Sequence, residues 1–300
     1  MSPVVEVEHL EKRYRDFVAV EDVSFTVEAG EIFGILGPNG SGKTTTVECL
    51  QGLRRADGGR LSVLGHDPRR EADQLRRRIG SQLQESALPE RLKVWEALSF
   101  FSSLSPGGGD WETVMNQWGL AEKRSATFAS LSGGQQQRLF VALALVNEPE
   151  LVFLDEMTTG LDPSSRRVAW DLIRKIRDGG ATVILVTHFM DEAETLCDRV
   201  AVIDHKRVIA IDTPAGLIDT YAPDTVVTFS TADTDLGYLH DLREVDHVEW
   251  SGRQVSVTGR GPLLATVAAE LVGHGQFPTD LQVERADLED VFLQLTAREA

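Results

Sequence analysis

Cysteine is nearly absent from this chain: Cys49 and Cys197 are the only two in 300 residues, and they stand far apart in sequence. Two isolated thiols make no disulfide framework. A reduced, cytosolic setting is expected, with both cysteines as small buried apolar residues in helical segments. Long apolar runs are missing too. No segment approaches the roughly 18–20 residues that a membrane-spanning helix needs. The opening Met1-Ser2-Pro3-Val4-Val5 has no basic stretch followed by an apolar one, so it does not read as a secretory leader. Any membrane role is therefore expected to come through a partner. Basic charge is also short, with 30 Lys and Arg against 47 Asp and Glu, a net charge of −17. This argues against a broad nucleic-acid surface, which depends on clustered cations. It leaves room for a local anion site made of backbone N–H groups. The hydrophobic share of 42% and charged share of 26% are those of an ordinary globular chain.

What is present is a layered α/β pattern. Val4 to Val7 and Ala19 to Val27 alternate apolar and polar residues, as half-buried strands do. Glu31 to Leu36, Leu151 to Leu154 and Thr182 to Val186 are short continuous apolar runs, suited to central strands covered on both faces. From about 85 to 147 the spacing turns helical, notably at Leu92 to Leu98 and Trp111 to Leu120, and predicts a helical insert. Composition shifts again after Tyr221. The order there is strand (225–230), helix (236–242), two strands around Ser251-Gly252-Arg253, helix (263–272), strand (281–283) and helix (288–295). That order predicts a small α+β domain on the ferredoxin-like plan. The chain is thus divided into residues 1–220 and 221–300.

Three strings and one histidine carry the chemistry. Gly37-Pro38-Asn39-Gly40-Ser41-Gly42-Lys43-Thr44 fits the phosphate-binding loop G-x-x-x-x-G-K-[ST], with a strand before it and a helix after. Its glycines let successive N–H groups point at one phosphate, and the helix beginning at Lys43 adds its N-terminal partial charge. Lys43 is expected to bridge the β- and γ-phosphates, Thr44 to ligate Mg²⁺, and Thr45 to line the site. Asp155 and Glu156 end an apolar strand, a costly place for carboxylates unless a cation compensates. Asp155 is assigned to Mg²⁺, through water, and Glu156 to the attacking water as general base. Ser132-Gly133-Gly134-Gln135 opens a helix with a capping serine and two exposed glycine N–H groups, a second phosphate-binding end. His188 follows Thr187, just after the apolar run 182–186.

Taken together, these residues resemble the ATP-binding subunits of ABC transporters over about Val4 to Ile218. The fold implied is a P-loop ABC ATPase core with a helical insert. The resemblance implies ATP and Mg²⁺ as ligands and a homodimer in the ATP-bound state, each nucleotide lying between the P-loop of one copy and Ser132, Gly133 and Gly134 of the other. By the same resemblance Tyr14 stacks on adenine, and Gln84 approaches Mg²⁺ and senses the membrane partner, with Gln82 as its rival. Asp162 belongs to the loop crossing the dimer interface, and His188 contacts the γ-phosphate. Met157 departs from the family, which usually has proline there. The tail Ala286-Asp287-Leu288-Glu289-Asp290-Val291-Phe292-Leu293 resembles exporter subunits related to the daunorubicin/doxorubicin-resistance ATPases. In that branch the permease is a separate chain and the ATPase is peripheral on the cytoplasmic face of the cell membrane. The C-terminal domain is read there as a dimer-stabilising appendage or a regulatory module. The alternative is a soluble ABC ATPase acting as a mechanical clamp, without transport. No residue names the cargo.

Overall fold

Alternating apolar residues make the first two strands a long antiparallel pair. β1 (Val5–Tyr14) buries Val5, Val7 and Leu10, and β2 (Phe17–Val27) buries Val20, Val23, Phe25 and Val27. Their register runs from Val5↔Val27 to Tyr14↔Phe17. In the computed structural model of the chain, residues 3–82, 88–104, 108–222, 224–231 and 236–297 are described. The chain divides into two compact units, Met1–Pro214 and Ala215–Ala300, a division six residues earlier than the one read from composition.

The first unit continues with β3 (Ile32–Leu36), α1 (Lys43–Leu50), β4 (Gly58–Val63), the single turn α2 (Ala72–Leu75) and β5 (Ile79–Gln82). The insert carries α3 (Val94–Ser103), α4 (Trp111–Gln117) and α5 (Gly133–Leu145), with α3 packed on both others. Next come β6 (Leu151–Asp155), α6 (Pro163–Asp178), β7 (Thr182–Thr187), α7 (Met190–Leu196), β8 (Arg199–Asp204) and β9 (Arg207–Asp212). Among the described residues nine strands form one sheet in the order β4-β1-β2-β9-β8-β3-β7-β6-β5. From β8 to β5 neighbouring strands are parallel. β3, β6 and β7 are buried at every residue, as central parallel strands are. Phe25 and Phe33 stack at 5.2 Å within this core.

The register decides where chemistry can gather. Leu36 pairs with Thr187, and Asp155 with Val186, so β3, β6 and β7 end along one sheet edge. The loops that follow them carry Gly37 to Gly42, Glu156 and His188. In open α/β sheets, ligands bind at this carboxyl edge. Cys49 lies in α1 and Cys197 just past α7, both buried and free. Burial pushes the Cys49 thiol up to about 11, so it is chemically inert at neutral pH.

α8 (Pro214–Tyr221) leads into the second unit, which holds β10 (Thr225–Ser230), a 3-10 turn (Gly237–Asp241), β11 (Val245–Ser251), β12 (Gln254–Gly259), α9 (Leu263–Gly273), β13 (Gln282–Arg285) and α10 (Leu288–Ala297). Its sheet runs β11-β12-β10-β13 and is antiparallel throughout. This is the ferredoxin-like order, with the 3-10 turn where a helix over 236–242 is expected. Val227, Phe229, Val255 and Val257 pack with Leu263, Val267 and Leu271 of α9.

Candidate nucleotide-binding and catalytic site

The loop between β3 and α1 holds its shape through its glycines. Gly42 adopts φ +106°, and a Cβ there would lie 2.6 Å from the Ala19 carbonyl oxygen. A Cβ on Gly37 would lie 2.0 Å from the Ile203 carbonyl oxygen. No larger residue fits either place without moving the sheet. Ser41 donates its N–H to Pro38 O at 3.3 Å, while its buried hydroxyl has no hydrogen-bond partner. Lys43, at the first position of α1, is buried. Its Nζ donates to Gly37 O at 2.8 Å and Pro38 O at 2.9 Å. Burial lowers its pKa, and the nearby Glu156 and Asp155 carboxylates oppose that shift.

A cavity of about 330 Å³ opens beside the loop, lined by Asn39, Gly40, Gly42, Lys43, Thr44 and Thr45 together with Phe17, Ala19 and Glu156. Phe17 was not expected here; an aromatic two residues before Ala19, across the hairpin from Tyr14, was the available signal. Tyr14 itself is half exposed and is not among the lining residues. Its ring lies beneath Lys12 Nζ at 5.1 Å and near the Arg54 guanidinium at 5.9 Å. Gln84 lies outside the described residues. Its rival Gln82 ends β5, is buried, and has an Oε1 with no hydrogen-bond partner.

Asp155 closes β6 at 2% exposure, with Oδ1 unpartnered. Burial drives its pKa up to about 6. A hydrogen bond with the Thr44 side chain and the Lys43 charge oppose the rise, and Glu156 adds to it. Glu156 takes φ +48°, a left-handed conformation that is strained for a residue with a side chain. Its N–H donates to Val186 O at 2.9 Å, and its Oε1 lies 3.3 Å from His188 Nδ1. The strained turn thus lifts Glu156 out of line with β6 and toward both the cavity and His188.

The second glycine-bearing helix start lies elsewhere. Ser132 opens α5, donating its N–H to Gln135 Oε1 at 3.0 Å. Ser132, Gly133 and Gly134 line a separate cavity of about 450 Å³ with Gly160, Asp162 and Ser165. Asp162 caps α6, accepting from Ser164 N at 3.0 Å and Ser165 N at 3.1 Å. Those bonds, with the two serine hydroxyls first among them, hold its carboxyl well below the usual range. Gln137 of α5 donates to Met157 O at 2.6 Å, so one bond ties the second site to the loop after Glu156. Met157 is buried. One chain therefore brings together the P-loop, Thr44, Asp155, Glu156 and His188, and brings Ser132 to Gly134 together with Asp162 in a different place.

The ABC transporter family model matches residues 20–159, from β2 through the acidic pair. Nod factor export ATP-binding protein I of Ralstonia nicotianae is 38% identical over 99% of this chain and 95% of its own length. This chain belongs to the ABC transporter family. The daunorubicin resistance ATP-binding protein DrrA3 of Streptomyces coeruleorubidus is also 38% identical, over 97% of this chain and 95% of that protein. A solved ATP-binding subunit of an ABC transporter superposes with a TM-score of 0.65 at 28% identity, covering 73% of this chain and 93% of the other. The first unit is accordingly an ABC ATPase fold, and the family hydrolyses ATP. Among the described residues no helix is long and apolar enough to cross a membrane.

Proposed function

We propose that this ABC ATPase energises an exporter from the cytoplasmic face of the membrane, working with a separately encoded permease and with a second copy of itself. The phosphates of ATP lie against the loop from Gly37 to Thr45, with Lys43 Nζ as their cationic partner and Phe17 or Tyr14 beneath the base. The residues fit Mg²⁺: Asp155 has a buried, unpartnered oxygen and shares a hydrogen bond with the Thr44 side chain. Thr44, Asp155 through water and Gln84 would hold the ion, which when bound neutralises charge on the phosphate oxygens. Glu156 accepts the proton of the attacking water, and His188 holds Glu156 in place and contacts the γ-phosphate.

The glycine pair Gly133-Gly134 carries the two-copy reading. A Cβ on either would meet nothing within 4 Å. Glycine in a helix costs up to about 1 kcal/mol relative to alanine. The fold of this chain gives no reason for that cost. Close approach of a phosphate held by a second copy gives one, because the bare N–H groups at the start of α5 would then complete its shell.

The exporter reading is supported by relatives whose names specify export and drug resistance over nearly the whole chain. A groove of about 460 Å³ lined by Arg76, Arg77, Phe101 and Leu104 suits a permease loop, and Leu104 is 62% exposed there. The test is mass spectrometry of what copurifies with Glu156→Gln from mild-detergent membranes in ATP. A multi-span permease in stoichiometric amount is expected. Recovery from the soluble fraction alone, with soluble partners, would overturn the exporter reading.

A further inference from the structure

Glu192 is fully buried, and the hydrolytic scheme above has no use for it. It lies in the first turn of α7, four residues after His188. Its Oε1 accepts from Trp170 Nε1 at 3.0 Å, while Oε2 has no hydrogen-bond partner. Burial raises its pKa; the Thr187 and Thr158 side chains, Trp170 and the Arg166 guanidinium face it and pull the other way. A carboxylate in such a place is expensive, and a packed apolar side chain of the same size would be the more stable choice.

The neighbours explain where it acts. Thr158 is two residues after Glu156, and Thr187 immediately precedes His188. Trp170 sits on α6, the helix that Asp162 caps. The same face of α6, at spacings of four, presents Asp162, Arg166, Trp170 and Arg174. Arg166 reaches Asp191 at 3.4 Å and covers the Phe189 ring at 4.1 Å; Arg174 donates to Thr195 O at 3.4 Å. Glu156 in turn is held in a left-handed conformation, which persists only where its surroundings over-determine it.

We propose that Glu192 is a positioning residue for hydrolysis: buried between the segment after Glu156 and the segment before His188, and bonded through Trp170 to α6, it fixes the Glu156–His188 spacing. The inference rests on the ATPase reading of that pair. It acts through the two residues and touches no reacting atom.

The test is steady-state ATP turnover and thermal melting of the full chain as wild type, Glu192→Gln, Trp170→Phe, His188→Ala and the Glu192→Gln/His188→Ala double variant. Glu192→Gln is expected to lower kcat about tenfold, with KM for ATP within about twofold. Its melting temperature should equal or exceed that of the wild type, because a buried charge has gone. Trp170→Phe, which keeps the ring packing and removes only the Nε1 donor, should lower kcat about threefold. In the His188→Ala background Glu192→Gln should cost nothing further, since the pair it spaces no longer exists. Wild-type kcat in Glu192→Gln or in Trp170→Phe, or a full tenfold loss added on top of His188→Ala, would overturn the positioning role while leaving the ATPase reading intact. A wild type without turnover would overturn both.

Discussion

Asp155 and Glu156 are chain neighbours with opposite placements, and one dihedral angle separates them. Asp155 stays in line with β6 and is buried; Glu156 turns left-handed and swings to the cavity. Replacing Glu156 by Gln keeps shape and removes the proposed proton acceptor, so ATP turnover is expected to fall by about 10²–10⁴-fold. Asp155 carries a different prediction. Its folded pKa, about 6, lies above the ordinary 3.8. Its contribution to stability is therefore fully present below about 3.8 and is lost as pH rises through 6. In metal-free buffer Asp155→Asn should be more stable than the wild type above pH 6, by up to about 3 kcal/mol, with the gap closing toward pH 4. Chemical denaturation across that range measures it, and equal stability at neutral pH would show that the burial cost is met elsewhere. Phe17→Ala should raise KM for ATP about fivefold or more if the ring stacks on the base. The motifs made most of these residues legible before any fold was known. Phe17 escaped because its one signal, a place opposite Tyr14, becomes visible only when the two strands are paired. Glu192 carries no role in the motif reading, because only packing reveals its buried carboxylate.

At the level of elements, strand, loop and helix around the P-loop were readable because each has a strong local signal: an apolar run, permissive glycines and a helix without breakers. β4, β5, β8 and β9 were not. β4 opens with two glycines and an arginine, and β5 is four residues including Gly80 and Ser81. The β8–β9 turn hides its nature most thoroughly. His205 and Lys206 adopt φ +44° and +69°, a conformation that sequence patterns associate with Asn-Gly. Changing the pair by His205→Asn and Lys206→Gly should therefore stabilise the protein by about 1 kcal/mol, visible as a raised melting temperature. The helix expected at 236–242 is a 3-10 turn over Gly237–Asp241. The ferredoxin-like order still emerged, since strand pairing rather than that helix defines it.

For the whole molecule, the division of labour between two places on one chain is the governing fact. Lys43, Thr44 and Glu156 line the P-loop cavity, while Ser132, Gly133 and Gly134 line a cavity of their own. A sequence shows both motifs and cannot show that they stand apart; the topology does that, by setting one at the carboxyl edge of the sheet and the other at the start of α5. The exposed Leu104 belongs to this scale as well. Leu104→Asp is expected to leave the ATP turnover of the isolated protein unchanged and to abolish copurification with the proposed permease.

The claim that two copies complete each nucleotide site is tested most directly by light scattering of Glu156→Gln with and without saturating ATP. From the 33.0 kDa chain, a twofold gain in mass with ATP is predicted. Adding Gly134→Asp, which open space accommodates within one chain, should return the mass to that of one copy. A single-chain mass at saturating ATP in Glu156→Gln itself would contradict the account.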